Sequence, residues 1–171
     1  MRVQERVRLG AALAVTAAGV ILLSGCTNNV QGTAEANQTD LAAYTSEVAA
    51  ARAAKIERAN VGACDGLRAA NKSSVASFNA YIEASNNRAP DTDTKANDAV
   101  ATLRNNAKDL DRKITEDVVA EVAEPLRTYR DNTNTLADTL DRRAPTDELN
   151  GVIDVFNGAK DEAIEICRSY D

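Results

Sequence analysis

From Leu67 to Asn150 the chain contains no glycine, and through that stretch apolar residues recur in alternating steps of three and four. A half-buried strand would alternate with period two, whereas this rhythm places the apolar residues on one face of a helix. Ala96, Val100, Leu103, Ala107, Leu110 and Ile114 predict one such helix, opening at residues 91–93, where Asp91 and Asp93 sit at the end that the helix dipole favours for carboxylates. Val122, Leu126, Tyr129, Thr133, Leu136 and Leu140 predict a second with the same heptad-like rhythm. Upstream, Leu67, Asn71, Val75, Phe78 and Ile82 form a stripe that begins near Cys64 and closes at the turn signal Asn86-Asn87-Arg88-Ala89-Pro90. Downstream, after Arg143-Ala144-Pro145 and a cap at Thr146 or Asp147, a last stripe runs through Leu149, Val152, Phe156, Ala159, Ala163 and Ile166 or Cys167.

Each apolar face needs a neighbour to cover it, so four helices joined by short turns predict an all-α fold, an up-down-up-down four-helix bundle. An additional N-terminal helix precedes it: Thr39 or Asp40 can cap, and Leu41, Tyr44, Val48, Arg52 and Ile56 follow at helical spacing among alanines. That helix is expected to end near Asn60-Val61-Gly62, with the alanine-rich sequence on both sides leaving a continuous helix open. Between the stripes of Ala96 and Val122 the turn is placed at residues 116–124, with Pro125 as a first-turn residue of the next helix. The segments Arg88-Ala89-Pro90 and Arg143-Ala144-Pro145 echo each other; Pro before a capped helix is common loop chemistry, and we read the echo that way rather than as a duplication.

The first 25 residues have the layout of an export signal: Arg2, Arg6 and Arg8 against a single Glu5, an apolar run over residues 9–23, then small residues. The run is 15 residues long, short of the roughly 20 needed to cross a bilayer, so cleavage is the expectation. Leu23-Ser24-Gly25-Cys26 resembles the lipobox of bacterial lipoproteins. The resemblance implies that the Cys26 thiol is linked to diacylglycerol, that the signal is cut between Gly25 and Cys26, and that the new amine can be acylated. A thiolate suits that transfer, and stable anchoring requires two or more acyl chains. Residues 26–39 are polar and poor in hydrophobes, which predicts a flexible tether. Within it Val30-Gln31-Gly32-Thr33-Ala34 is similar to a stretch that follows the lipidated Cys in lipoproteins of mycobacteria and their relatives. The expected organisation is therefore a signal peptide at 1–25, a tether at 26–39 and one helical bundle domain at 40–171.

Without the signal, 17 basic residues face 25 acidic ones, a formal charge of −8. Nucleic acid requires a basic stripe, and anionic headgroups repel an acidic surface, so neither is an expected partner of the protein face. The membrane is reached through Cys26. Of the two remaining cysteines, Cys64 opens the first bundle helix and Cys167 closes the last, and in an alternating four-helix bundle those positions share one end. An exported protein sits in an oxidising space, so a disulfide is the expected state, with two inert core thiols or a metal pair as the alternatives.

The chain has no histidine, which removes Ser-His-Asp triads, His-ligated zinc and haem, and the Glu-x-x-His di-iron sites of some bundles. Asp91-Thr92-Asp93-Thr94 begins like a calcium loop, but Lys95, Ala96 and Thr102 stand where a ligand, a Gly and the bidentate Glu belong; helix capping is the better reading. Glu116, Asp117, Glu121 and Glu124, with Lys113 and Arg127 nearby, read as a solvated face. No catalytic residue, cofactor or metal is expected. The order of Cys64, Asn79-Ala80-Tyr81-Ile82, Asp147-Glu148-Leu149-Asn150, Ala159-Lys160 and Cys167 resembles small helical exported proteins of mycobacteria and relatives, a likeness that brings no established activity. The functional expectation is a lipid-anchored, non-catalytic envelope protein on the extracytoplasmic side of the cell membrane, binding another envelope protein or envelope component. The alternatives are a carrier of a small apolar ligand in the bundle interior and a phage-encoded lipoprotein that blocks superinfection.

Overall fold

The computed structural model describes residues 37–170, which form four α-helices: α1 Gln38–Asn86, α2 Thr92–Asp111, α3 Ala120–Asp141 and α4 Thr146–Cys167, with a 3-10 turn at Arg168–Tyr170. The expected signal peptide, the lipidation site Cys26 and the tether up to residue 36 lie outside the described residues. Connections of five, eight and four residues force successive helices to run antiparallel. Helix α1 packs on α2, α2 on α3 and α3 on α4, while α1 and α4 touch only lightly to close the ring. This is the four-helix bundle that the apolar stripes predict.

Helix α1 is 49 residues long and does not break where a break was expected. Its start is fixed by Asn37, whose side-chain oxygen accepts from the Thr39 N–H at 3.0 Å. Residues 38 and 39 therefore belong to the helix rather than to the tether. At Gly62 an added Cβ would meet nothing within 4 Å, so that glycine only weakens the helix by about 1 kcal/mol relative to Ala. Asn60, Ala63 and Cys64 are buried around it and hold the helix to the bundle. The additional N-terminal helix is thus the first part of α1, and Cys64 lies within a helix instead of opening one.

The core follows the stripes closely. Leu67, Leu103, Leu110, Leu126, Leu136 and Leu140 are fully buried, and Tyr129 is buried at the centre with its ring 5.5 Å from that of Phe156. Alanines at 63, 96, 99, 107, 137 and 163 are buried between them, so backbones approach closely at those levels.

Two of the three connections use the same stop. Arg88 and Arg143 both have φ of 52°, and in each case the next residue's N–H reaches back five residues, Ala89 to the Ala84 carbonyl at 2.9 Å and Ala144 to the Thr139 carbonyl at 3.2 Å. This is the Schellman closure, usually made by Gly. The repeated Arg-Ala-Pro segments are therefore the same turn, built once before α2 and once before α4.

The α2–α3 connection lies earlier than expected, at residues 112–119, and α3 opens at Ala120. Pro125 is consequently the sixth residue of α3 and not a first-turn residue. It cannot donate to the carbonyl of Glu121, and because Glu121 is exposed that carbonyl sits at the solvent side of the helix start. The connection is anchored by Val118, which is buried, and by half-buried Ile114 and Val119.

Candidate functional site

Cys64 and Cys167 form a disulfide with Cα atoms 5.4 Å apart, within the span such a bridge allows. It ties the middle of α1 to the end of α4. Around it the same end of the bundle is laced by long-range bonds. An Arg68 guanidinium N–H donates to the Cys167 carbonyl at 3.0 Å. Asn60, only 3% exposed, accepts from the Val119 N–H at 3.1 Å and donates to the Tyr170 hydroxyl at 3.4 Å. Sequence reading treated Asn60 as part of a helix stop; its role instead depends on partners at the start of α3 and beyond α4.

Away from the disulfide, α1 and α4 both line an open cleft of about 310 Å³. Its apolar lining includes Phe78 and Ile82 from α1, Leu103 from α2, Leu136 from α3, and Ile153 and Phe156 from α4. Its polar lining includes Asn79, Asn150, Asn157 and Lys160. The Lys160 side chain is 22% exposed, and its ammonium donates to the Asn157 Oδ1 at 3.0 Å. Its one carboxylate neighbour among the described residues, Asp161, is 3.4 Å away and itself 74% exposed. Among the described residues the side chains of Asn79 and Asn150 make no hydrogen bond. The cleft was not legible in the sequence as a site, since its residues read as ordinary stripe and rim positions.

Beneath the cleft lies a small polar group inside the bundle. Ser74, fully buried, accepts from the Asn106 side-chain N–H at 2.9 Å, and the Thr133 hydroxyl donates to the Tyr129 carbonyl at 2.8 Å. Burial pushes the Tyr129 phenol up, and the nearby hydroxyls of Thr133 and Ser74 only partly offset this. The Tyr129 hydroxyl lies close to those two groups without a hydrogen bond of good geometry.

The third feature is the free part of α1. Every residue from 37 to 55 is exposed, so about 27 Å of helix extends past the bundle at 1.5 Å per residue. Seven alanines at 42, 43, 49, 50, 51, 53 and 54 supply the propensity that lets it propagate from the packed part. Leu41, Tyr44 and Val48, one face of this arm, are 45%, 65% and 49% exposed. The apolar positions read as the stripe of a packed helix have no cover among the described residues; of them only Ile56 is half-buried. Lys55, at the base of the arm, pairs with Asp117 at 2.9 Å, and that bond raises the pKa of its ammonium.

The acidic positions are used structurally. Asp91 precedes α2, Asp93 lies in its first turn, and the Thr92 hydroxyl donates to the Ala89 carbonyl at 2.7 Å. Glu124 pairs with Arg127 at 2.6 Å on the surface. Arg104 of α2 reaches Asp138 and Asp141 of α3 at 2.7 and 3.0 Å. No helix among the described residues is long and apolar enough to cross a membrane.

Residues 30–168 match the family model described as the Rv2240c four-helix bundle domain, most of the chain, and the chain belongs to that family. The match agrees with the resemblance of its C-terminal part to helical mycobacterial proteins and extends it toward the N-terminus. No curated protein and no solved structure matches the chain.

Proposed function

We propose that this member of the family is a lipid-anchored protein of the bacterial cell envelope, held on the extracytoplasmic face of the cell membrane through Cys26, whose bundle binds a partner without catalysing a reaction. The observation that carries the binding reading is the uncovered face of Leu41, Tyr44 and Val48 on the projecting arm. An apolar stripe at helical spacing on a rigid helix is the form in which one helix is presented to another protein's groove. The anchoring reading rests on the lipobox pattern at residues 23–26. The test uses the full chain in cells. A photo-crosslinking amino acid at position 44 should capture one discrete envelope partner that the same group at Asp154, on the exposed face of α4, does not. Equal capture from both positions, or none from either, would remove the binding face. Incorporation of a labelled fatty acid should be lost in Cys26→Ser; retention of label would remove the anchor.

A second reading is favoured by the cleft between α1 and α4. Its volume is at the lower end of the roughly 300–1,000 Å³ typical of small-molecule sites, and its walls are mainly apolar with a few convergent polar groups. That combination suits a carrier of a small apolar ligand.

A further inference from the structure

We infer that the cleft between α1 and α4 takes a single apolar chain ending in a carboxylate, a medium-chain fatty acid, with its headgroup at Lys160; this rests on the carrier reading of the same cleft. Three observations lead there. The first is shape. The polar lining on α4 runs from Asn150 to Lys160, about 15 Å at 1.5 Å per residue. That is the length of an extended chain of about a dozen carbons at the ~1.5 Å bond length of saturated carbon. The volume of about 310 Å³ leaves room for one such chain and not for a two-chain lipid.

The second is the order of groups along the cleft. Since α1 and α4 are antiparallel and joined at Cys64 and Cys167, Lys160 lies toward the disulfide end and Asn150 toward the other. Phe78, Ile153 and Phe156 line the wall between. A cation at one terminus of an apolar trough fits an amphiphile with its anionic group at that terminus.

The third is the state of the polar groups. The Lys160 side chain is mostly covered, and its only carboxylate partner among the described residues is Asp161, its solvent-exposed neighbour in sequence. The amide of Asn157 beside it can donate to a second headgroup oxygen while its Oδ1 holds the ammonium. Asn79 and Asn150 keep their hydrogen-bonding capacity free at the rim, where they border water instead of the chain. Within a protein that is strongly acidic overall, one cation at the end of an apolar wall selects a carboxylate locally that the rest of the surface would repel.

The experiment uses the full-length chain in nanodiscs with two probes of equal chain length, a diazirine-bearing dodecanoate and the corresponding dodecanol. Labelled peptides are located by mass spectrometry, and half-saturating concentrations are read from the extent of labelling. Dodecanoate should label residues 75–82 and 150–157. Lys160→Met should raise its half-saturating concentration by about tenfold or more, the usual worth of a charge-assisted hydrogen bond. Lys160→Arg should restore it, and the dodecanol value should not move in either variant. If both probes label the cleft with equal strength and Lys160→Met changes neither, the carboxylate inference is overturned and the apolar carrier stands. If neither probe labels the cleft, or both label other parts of the chain, the carrier reading falls with it.

Discussion

The Val119 N–H donates to the Oδ1 of Asn60 at 3.1 Å, across 59 residues of sequence. Val119 is the residue that precedes α3, and no side chain of its own segment caps that helix. A residue in the middle of α1 therefore supplies an acceptor at the start of α3. Asn60→Ala should lower stability by about 1–2 kcal/mol, the range for losing a cap or a buried hydrogen-bond partner. Tyr170→Phe should cost less, because the bond it removes is 3.4 Å long. Urea denaturation of the two variants checks the order; a larger effect from Tyr170→Phe would contradict this account of Asn60.

Opening the Cys64–Cys167 bridge releases a loop with a sequence separation of 103 residues. For a loop of that size the chain-entropy argument gives about 4–5 kcal/mol, and measured losses for native bridges run at about 2–5 kcal/mol. The double variant Cys64→Ser, Cys167→Ser should lose stability in that range while circular dichroism shows the helices retained at low denaturant. Since α1 and α4 otherwise touch lightly, amide exchange should rise first in α4.

Arg88 and Arg143 share a left-handed backbone but not a set of contacts. No side-chain bond from Arg88 is present among the described residues. Arg143 donates to the Leu140 carbonyl at 2.9 Å and to the Asn97 Oδ1 at 2.7 Å, linking the end of α3 to α2. Arg88→Gly should stabilise by about 1 kcal/mol by relieving the left-handed strain. Arg143→Gly should gain nothing or lose, because relief is offset by the broken bonds. Paired thermal melts test the contrast.

The Arg142 guanidinium beside Glu148 holds that carboxyl below its ordinary value. A depressed carboxylate contributes stability that is present above the unfolded pKa and disappears as pH falls through the folded one. Glu148→Gln should therefore melt slightly lower than the parent at neutral pH, and the gap should close below about pH 4. Because the pair is exposed, added salt should shrink the gap at neutral pH as well.

The four bundle helices were legible because each carries a buried face whose spacing is a local property: Leu103, Leu126, Leu136 and Leu140 could be assigned without knowing their neighbours. The disulfide was legible through topology, once Cys64 and Cys167 were placed at one end of an alternating bundle. What escaped depended on distant partners. Gly62 looks like a stop, yet it faces open space on a helix that Ala63 and Cys64 hold by burial. Pro125 looks like a helix start, yet Val118 and Val119 fix the start of α3 earlier, through the core and Asn60. The Leu41, Tyr44 and Val48 stripe has the same periodicity as a packed one, and periodicity does not say whether a partner is within the chain. The cleft is lined mainly by α1 and α4, the two helices farthest apart in sequence.

Helix α1 runs unbroken for 49 residues, about 73 Å, so the arm and the first wall of the bundle turn as one lever. Whatever grips Tyr44 also sets the angle of the disulfide end, with no hinge between them to absorb a twist. One side of the cleft is cut into that same lever, whereas its opposite wall on α4 packs on α3 and is joined to the lever mainly at Cys167. Torque applied to the arm thus has a mechanical route to the width of the cleft.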